Sequence, residues 1–565
     1  MARLFPVVGL LVAVLTVFLA DVAVGQQSAE IKYWVFFTDK PESATLSKHS
    51  SDAVLTDRAV ERRGRRMHST ESSFLDRAVS GDYLRAVEQS GAKILIASRW
   101  LNAVSVVLSP ESLAKVQTLP FVSHVRVVGK SSPLVKSATP TVVAPQNAPL
   151  GRRLNLDYGA SFTQLDLINA VEPLERGING TGVRLGILDT EYGDFQHDAF
   201  SELVSDGRLI NTANLSQGSQ TSRHGQFVAS IMVGFDEGVL IGPAYGAELV
   251  AATTEYAPTE TNQEEDAWVA GIEWLESQGV DVVNSSLGYT EFDAGENSYT
   301  IADLDGDTGI TTRAADIAAS LGIVVVNSAG NSGCTSPAQC WYFILTPADG
   351  DSVVAVGAVD AAGTKAGFSS FGPTSDGRIK PDVAAMGVSV VFASSSSNSA
   401  YASGNGTSFS SPAVAGVVAQ MLQVNPNLTP AEVLQILKST ASQASNPDNE
   451  LGWGIIDADL AILQAQAVGV DDSTPDDNFS VEVYPNPATD RITFQVLTTR
   501  ALGDSRIELF DVLGRRVKTL WTGRIDASSS VQITGLNLPA GLYVYKIQSG
   551  AGITTGTLVT LNPSL

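Results

Sequence analysis

The sequence is poor in cysteine, histidine and positive charge. Its 565 residues include two cysteines and five histidines, and 36 lysines and arginines stand against 60 acidic residues. Two cysteines are too few for a thiolate metal cluster or a scaffold held by many disulfides. A net charge of −24 opposes the counterion release on which nucleic-acid binding depends. DNA, RNA and anionic membranes are therefore disfavoured as partners.

Several catalytic motifs and long internal apolar runs are also missing. The sequence has no Gly-x-Ser-x-Gly elbow, no Walker phosphate loop and no His-Glu-x-x-His zinc motif, which disfavours the enzyme classes that these motifs mark. The run Leu4–Ala20 follows a basic start and precedes the small residues Ala23 to Gly25. This pattern predicts a signal peptide over 1–25, with an uncleaved anchor as the alternative, and no later run is long enough to span a bilayer.

Composition divides the exported chain into three folded regions and two linkers. Residues 26–130 alternate strand-like and charged helical stretches, the first linker is rich in Ser, Pro, Ala and Thr, and the second is acidic. The predicted order is a small α+β domain at 26–130, a linker or processing region at 131–157, an α/β domain at 158–467, a linker at 468–479 and a β-sandwich at 480–565.

The central region is predicted to be an α/β domain with a parallel sheet and helices on both faces. Near-continuous apolar runs are typical of strands that are buried on both sides. Helical periods separate these runs, which are Val183–Asp189, Glu248–Ala252, Val280–Asn284, Ile323–Asn327 and Val353–Gly357. In such sheets the reactive groups lie at the carboxyl ends of the strands.

Three polar residues at such positions form a candidate catalytic set. Asp189 ends the first run, His224 precedes an apolar helical run, and Ser408 follows a glycine turn before a buried helix in which Pro412 is expected in the first turn. Each alone has a structural alternative, as a turn former, a structural histidine or a cap. His197 and His224 are the histidines of this region, so a histidine base must come from this pair. Together the three residues are the parts of a nucleophilic triad.

At these residues the chain resembles the subtilisin-like serine proteases, the subtilases, whose triad follows the order Asp, His, Ser. The resemblance covers residues 158–465 and rests on motifs at 186–190, 224–225, 284–288, 328–331, 368–373, 380–382 and 406–412. It implies a subtilisin-like fold and a secreted serine endopeptidase that hydrolyses protein substrates through Asp189, His224 and Ser408. In this family pattern Asn331 is the side-chain oxyanion donor.

The resemblance also implies two segments that hold an extended substrate between them. They are Ser286, Leu287 and Gly288 on one side and Ser328, Ala329 and Gly330 on the other. The sequence departs from the family pattern near the catalytic set, where Phe409 replaces a methionine and Gln226 and Ser230 replace a threonine and a glycine. None of these departures removes a triad atom. The alternative function is a non-catalytic surface or binding protein that keeps a subtilase scaffold.

No cofactor is expected for the chemistry. The run Asp303–Thr308 resembles a calcium loop, but its glycine is the fourth residue and no glutamate closes it at the twelfth, so an acidic loop before a helix is the default interpretation. The family resemblance leaves structural calcium open without naming ligands. Cys334 and Cys340 lie in a short Ser- and Pro-containing loop, and in an exported protein we expect them to form a local disulfide.

The N-terminal region resembles the propeptide of this family, which blocks the cleft until it is cleaved off. We expect that cleavage between Ser131 and Arg153, because this stretch is linker-like and directly precedes the catalytic region. The basic stretch Arg58–Arg66 is expected to be a solvated helix face, with a processing target as the alternative.

The C-terminal region resembles the sorting domain of type IX secretion in Bacteroidota, through the motifs at 484–487 and 538–543. This resemblance implies passage through the periplasm and outer membrane to a secreted or cell-surface location. The type IX secretion machinery would then be a partner of the chain. A sugar- or substrate-binding sandwich is the alternative interpretation.

Overall fold

The structure is a computed structural model of the chain. It describes residues 31–41, 54–67, 74–128, 141–142, 154–216, 222–256, 258–259, 261–293, 298–333, 343–468, 479–486, 488, 490–498, 502–510, 516–525, 530–538, 541–549 and 552–560. The predicted signal peptide, most of both predicted linkers, Cys334 and Cys340 lie outside these residues, so the predictions made for them remain predictions.

The N-terminal sheet is antiparallel and has the strand order β2-β3-β1-β4. Its strands are β1 Ile31–Phe37, β2 Lys93–Ser98, β3 Ala103–Leu108 and β4 Val122–Val128, and the helices of this part of the sequence are α1 Asp57–Arg66, α2 Gly81–Gln89 and α3 Pro110–Val116. Residues 1–52 and 77–129 form one compact unit, whereas 53–76, with α1, belong to the same unit as 130–565.

The central region is built on a seven-stranded sheet in which every neighbouring pair is parallel. The strands here are β5 Thr141–Val142, β6 Arg184–Asp189, β7 Leu209–Asn214, β8 Phe235–Asp236, β9 Leu240–Ile241, β10 Glu248–Thr253, β11 Val282–Ser285, β12 Val324–Ser328, β13 Val353–Val359, β14 Val383–Met386, β15 Val390–Ala393 and β16 Tyr401–Gly404. The sheet order is β14-β13-β12-β11-β6-β10-β7. Each predicted apolar run is one of its strands, so the predicted parallel sheet is confirmed.

Helices pack against both faces of this sheet. The helices of this region are α4 Phe162–Asp166, α5 Val171–Glu175, α6 Ser201–Ser205, α7 His224–Val233, α8 Asn262–Ser277, α9 Ile310–Ser320, α10 Thr407–Val424, α11 Pro430–Thr440 and α12 Ala458–Ala467, with short 3₁₀ turns at 159–161, 193–195, 198–200 and 301–303. Leu185 and Ile187 of β6 share a core with α7 and α10, whereas Gly186 between them faces Leu275 of α8. Alternate residues of a strand point to opposite faces, so α7 and α10 lie on one side and α8 on the other.

The sheet has its topological switch between β6 and β11. After β6 the chain adds β7 and β10 on one side and then crosses to add β11, β12, β13 and β14 on the other. Loops leaving the carboxyl ends of β6 and β11 therefore diverge and leave a crevice between them. This crevice lies at the ends of the strands where the candidate catalytic residues were expected.

The C-terminal region is confirmed as two antiparallel sheets with a common core. Their orders are β17-β18-β21 and β20-β19-β22-β23, and the strands are β17 Phe479–Tyr484, β18 Arg491–Thr498, β19 Gly503–Phe510, β20 Arg516–Ile525, β21 Ser530–Thr534, β22 Gly541–Ser549 and β23 Gly552–Thr560. Phe494 from the smaller sheet packs with Ile507 and Tyr545 from the larger one. Alternate side chains of both sheets thus fill one interior, as in a β-sandwich.

The prediction that the basic stretch Arg58–Arg66 is a solvated helix face is wrong. Arg62, Arg63 and Arg66 of α1 are buried. The helix has its predicted location, but its guanidinium groups contact carboxylates and carbonyl oxygens far along the chain. Burial of arginine is favourable only when such partners are present, and a single sequence window does not show them.

Candidate active site

Asp189 is the last residue of β6 and is fully buried. Its Oδ1 accepts a hydrogen bond from the backbone N–H of Thr190 at 2.7 Å and lies 2.8 Å from Nδ1 of His224. A carboxylate can only accept, so Nδ1 carries the proton and Nε2 is the basic nitrogen of the neutral ring. The structure therefore brings together the predicted Asp189 and His224 in the orientation that a base needs.

His224 is held in this position by the start of α7. The helix begins at His224, and the N–H of Gly225 donates to Oγ1 of Thr190 at 3.0 Å. A Cβ at Gly225 would lie 2.8 Å from the carbonyl oxygen of Thr190, so glycine permits the close approach of the helix to the end of β6. The other candidate histidine, His197, is buried and hydrogen bonds to the carbonyl oxygen of Ala400, which gives it a structural role.

The charge of Asp189 changes the acid–base behaviour of His224. Burial lowers the pKa of the imidazole, but the negative charge of Asp189 and the hydrogen bond to it raise the pKa by more. The pKa of His224 is therefore higher than that of an ordinary histidine. A higher pKa makes the neutral ring a stronger base, which is the property required to remove a proton from a hydroxyl group.

Ser408 is the second residue of α10, directly behind the glycine turn that the sequence predicted. Its Oγ donates a hydrogen bond to the carbonyl oxygen of Ser286 at 3.2 Å, and the Oγ of Ser286 donates to the carbonyl oxygen of Ser408 at 3.0 Å. The expected place of Pro412 in the first turn is wrong, because the helix already begins at Thr407. Pro412 lacks the N–H that would bond to the carbonyl of Ser408, and Ser286 supplies a donor instead.

Asn331 lies in the turn that follows β12, and its side chain is oriented by Thr407. The Oδ1 of Asn331 accepts hydrogen bonds from the backbone N–H and the Oγ1 of Thr407, at 2.8 and 3.0 Å. The amide NH₂ group of Asn331 must therefore point away from Thr407 and can donate elsewhere. Nearby, the backbone N–H of Ser408 belongs to the first turn of α10, where N–H groups have no partner within the helix.

The two predicted substrate segments lie side by side at the ends of β11 and β12. The side-chain amide of Asn327 joins them, because its Nδ2 donates to the carbonyl oxygens of Leu287 and Ser328, each at 2.9 Å. Gly330 has φ +115°, and a Cβ there would lie 2.6 Å from Leu345. A Cβ at Gly288 would lie 2.8 Å from the same side chain. Glycine at both positions thus leaves room for Leu345 beside the segments.

Two residues of this site were missed by sequence reasoning, and each had a signal. Asn327 follows three valines in the buried strand β12, and a buried polar residue in such a place normally has a specific partner. Thr407 lies within the motif at 406–412, but no role was assigned to it from the sequence. Both residues orient other residues of the site through hydrogen bonds.

The departures from the family pattern have packing explanations. Nε2 of Gln226 donates to the carbonyl oxygens of Ala393 and Ser394, and Oγ of Ser230 accepts from the N–H of Ala393 at 2.9 Å. These bonds tie α7 to the end of β15. The ring of Phe409 stacks on the imidazole of His224, with the ring centroids 5.9 Å apart. Phe409 thereby links the helix that carries Ser408 to the base.

The calcium-like loop uses its carboxylates for its own turn. Asp303 accepts from the N–H and Oγ1 of Thr300, and Asp305 accepts from the N–H groups of Asp307 and Thr308. Across the described residues, no cluster of three or more His, Cys, Asp or Glu side chains could hold a metal ion. Structural calcium, in this loop or elsewhere, stays a prediction.

Comparison with known proteins identifies the family of the central region. The subtilase family (peptidase S8) matches residues 180–454. Over 308 residues the chain is 34% identical to Subtilisin DY from Bacillus licheniformis, which covers 54% of this chain and 97% of that protein. This chain belongs to the subtilase family. The subtilase is also 28% identical over 398 residues to M-protease from Shouchella clausii strain KSM-K16, covering 69% of this chain and 88% of that protein.

The fold and the enzyme class agree with this assignment. The structure is similar to that of fervidolysin from Fervidobacterium pennivorans, which is described as a keratinolytic enzyme related to subtilisin. The TM-score is 0.52 at 18% sequence identity, and the match covers 93% of the subtilase and 87% of that chain. This likeness supports the subtilisin-like fold. The subtilase is a serine endopeptidase, as the resemblance implied.

The flanking regions of the subtilase also match known domains. The peptidase S8 propeptide domain of Bacteroidota matches residues 32–142, and the secretion system C-terminal sorting domain matches 482–560. The predicted propeptide and type IX sorting domain are thereby confirmed, and the subtilase is a secreted or cell-surface protein. In the part of the chain that the structure describes, no helix has the length and apolarity required to cross a bilayer.

Proposed function

We propose that the protein cleaves peptide bonds of protein substrates with Ser408 as nucleophile, His224 as base, Asp189 as the residue that orients the base, and Asn331 as oxyanion donor. The observation that carries this proposal is the 2.8 Å contact between Asp189 Oδ1 and His224 Nδ1, which leaves Nε2 as the basic nitrogen. Ser408 is in the first turn of α10, and the next residue, Phe409, stacks on that imidazole.

Acylation begins when the Ser408 hydroxyl turns from the carbonyl of Ser286 toward Nε2 of His224. Oγ attacks the substrate carbonyl carbon while Nε2 takes the hydroxyl proton. The C–N bond then breaks, and the imidazolium gives that proton to the departing amine. A water molecule attacks the resulting ester, His224 takes its proton, and the Ser408–acyl bond breaks with return of the proton to Oγ. Asp189 remains ionised and stabilises the imidazolium in both halves of the reaction.

The negative oxygen that forms in each half requires donors. The amide NH₂ of Asn331 and the backbone N–H of Ser408 are proposed to supply them, because Thr407 orients the former and the helix start leaves the latter free of an intrahelical partner. Donors fixed before the reaction need no rearrangement when charge develops. We propose that the segments at Ser286–Gly288 and Ser328–Gly330 hold the substrate in an extended form across these groups.

The proposed nucleophile is tested by casein digestion with the secreted, processed protein. Ser408→Ala is compared with Ser410→Ala, which removes a buried hydroxyl two residues away that donates to the carbonyl of Thr407. We expect digestion by the parent and by Ser410→Ala and none by Ser408→Ala. A folded, processed parent that digests nothing would instead support the non-catalytic scaffold, and digestion by Ser408→Ala would contradict the role of Ser408.

A further inference from the structure

The arginine helix α1 contacts the catalytic unit at the amino ends of the sheet strands. Arg58 donates to the carbonyl oxygen of Gly182, two residues before β6, at 2.9 Å. Arg62 donates to the carbonyl of Val280, before β11, at 2.8 Å, and Arg66 donates to that of Gly322, before β12, at 2.8 Å. Asp189 ends β6 and Asn331 follows β12, so these residues of the candidate active site lie at the carboxyl ends of the same strands. This contact surface is therefore at the opposite end of the sheet from the candidate active site.

Two buried carboxylates form the centre of this surface. Glu276, near the end of α8, accepts from Arg62 at 2.7 Å and from Arg63 at 3.0 Å. Asp281, just before β11, accepts from Arg58 at 2.5 Å and from Arg66 at 3.1 Å. Hydrogen bonds between charged partners are stronger than neutral ones, and the planar guanidinium group suits carboxylate recognition.

The main chain completes the surface around these carboxylates. Besides Gly182, Val280 and Gly322, the carbonyl oxygens that accept from arginine side chains are those of Gly279, Asp281 and Pro426. A Cβ at Gly279 would lie 2.8 Å from the backbone nitrogen of Ala59, so glycine there lets α1 approach.

The spacing of the arginines matches one face of a helix. Arg58, Arg62 and Arg66 are four residues apart and therefore lie along one side of α1. Arg63, beside them, also pairs with Asp76 through two bonds of 2.8 Å. Thr56 caps the helix and donates to the carbonyl of Ser277 at 3.0 Å. The arginine side chains on this side of α1 thus meet carboxylate and carbonyl acceptors of the catalytic unit. These clustered positive charges stand out in a chain whose net charge is −24.

We propose that the sheet end around Glu276 and Asp281 is a recognition site for an arginine-bearing helix, and that α1 is an anchor. The anchor holds the propeptide segment 54–67 to the catalytic unit independently of the active site at the other end of the sheet. While α1 is docked, its buried arginines are hidden from arginine-directed peptidases. Release of the segment then requires separation of these ion pairs.

Hydrogen exchange on the full-length Ser408→Ala chain tests the anchor. The intact mass is measured first to establish that residues 54–67 are attached. Three variants are compared in this background: Arg62→Gln, Glu276→Gln and the double variant. Glu111→Gln is the matched control, because it removes a carboxylate from an exposed pair with Lys115 in α3. His224→Ala alters the other end of the sheet.

We expect each single variant to speed amide exchange in α1 on the order of 100-fold, because the buried ion pair between Arg62 and Glu276 is lost. Exchange in α2 and in β12 should stay unchanged, and the double variant should be less affected than the sum of the two. Glu111→Gln and His224→Ala should leave α1 as in the parent. Unchanged exchange in α1 for Arg62→Gln and Glu276→Gln would overturn the proposal. So would an equal rise throughout α1, α8 and β12, which would identify general destabilisation.

Discussion

The two ends of the central sheet each bury an aspartate, and the two have different partners. Asp189 ends β6 and is 0% exposed, whereas Asp281 precedes the neighbouring β11 and is 2% exposed. Asp189 bonds to an imidazole, whose charge changes near neutral pH. Asp281 bonds to guanidinium groups, which stay charged. The two aspartates are thus almost equally buried, but the partner of Asp189 suits proton transfer and the partners of Asp281 suit attachment of α1.

The pKa values follow the same division. Burial raises the pKa of the Asp281 carboxyl, but Arg66, Arg58 and the backbone N–H of Arg184 lower it by more, so its pKa is below the ordinary value. At the other end of the sheet, the charge of Asp189 and its hydrogen bond to His224 raise the pKa of that histidine. In the proposed scheme, a buried carboxylate serves catalysis or anchoring according to whether its partner can give up a proton.

The largest expected effect is at the catalytic end. Asp189→Asn should lower kcat about 10⁴-fold, because an amide no longer fixes the required tautomer of His224. Without the negative charge the pKa of His224 falls. Since the base acts in its neutral form, the acid limb of kcat/KM in the residual activity should move to lower pH. The measurement is a pH profile of peptide hydrolysis by the processed enzyme.

Asp281→Asn is the control for that experiment. In the processed enzyme it should leave kcat and the position of the acid limb unchanged, because Asp281 lies at the far end of the sheet. An unchanged kcat in Asp189→Asn, or an equal loss in both variants, would contradict the division of roles.

Asn331→Ala should lower kcat by about 10²- to 10³-fold with little change in KM, a range known for loss of an oxyanion donor in a relative of the same family. The donor acts on charge that exists only in the transition state, so substrate binding is spared. Steady-state kinetics on a peptide substrate measures kcat and KM separately. Asn405→Ala, which alters an exposed amide that accepts from the N–H of Ser389, should behave as the parent. A rise in KM alone would contradict the oxyanion role.

At the anchoring end the expected effect is on stability. In the full-length Ser408→Ala chain, Asp281→Asn should lower the free energy of unfolding at neutral pH by on the order of 3 kcal/mol, because buried arginines lose their counter-charge. The folded pKa of Asp281 is depressed, so its contribution is present above the unfolded pKa of about 3.9 and is lost as pH falls through the folded value. Denaturant unfolding at several pH values measures this.

The difference between parent and Asp281→Asn should therefore shrink as the solution is made acidic. Glu111→Gln, at an exposed pair, serves as the control and should unfold as the parent does. A difference that grows on acidification would contradict the assigned sign.

Thr407→Val should have the smallest effect, a loss in kcat on the order of tenfold. Valine keeps the shape and the backbone N–H but removes the Oγ1 that bonds to Asn331 and accepts from the N–H of Gly330. Thr407→Ser should restore most of the activity, since it restores the hydroxyl. An effect confined to KM, or no rescue by serine, would show that Thr407 does not orient the oxyanion donor.

The parallel sheet and the strand-end residues could be predicted because their signals are local. Apolar runs mark buried strands, and the small number of histidines reduced the possible bases to His197 and His224. Motif spacing then supplied the order of the catalytic residues. The contact of Asp189 with His224 agrees with what these signals predicted.

Contacts between distant parts of the chain could not be predicted in the same way. Arg62 and Glu276 are 214 residues apart, and nothing in the sequence around Arg62 distinguishes a buried guanidinium from a solvated one. The start of α10 was misplaced for a related reason. Pro412 is compatible with the interior of that helix because Ser286 supplies the missing donor to the carbonyl of Ser408.

Labelling with a fluorophosphonate probe tests directly whether Ser408 is the nucleophile. The processed, secreted protein is labelled, digested and analysed by mass spectrometry to locate the modified residue, with Ser408→Ala and Ser410→Ala treated in parallel. We expect a label on Ser408 in the parent and in Ser410→Ala, and none in Ser408→Ala. A folded, processed parent that takes no label, or that carries it on another residue, would contradict the account.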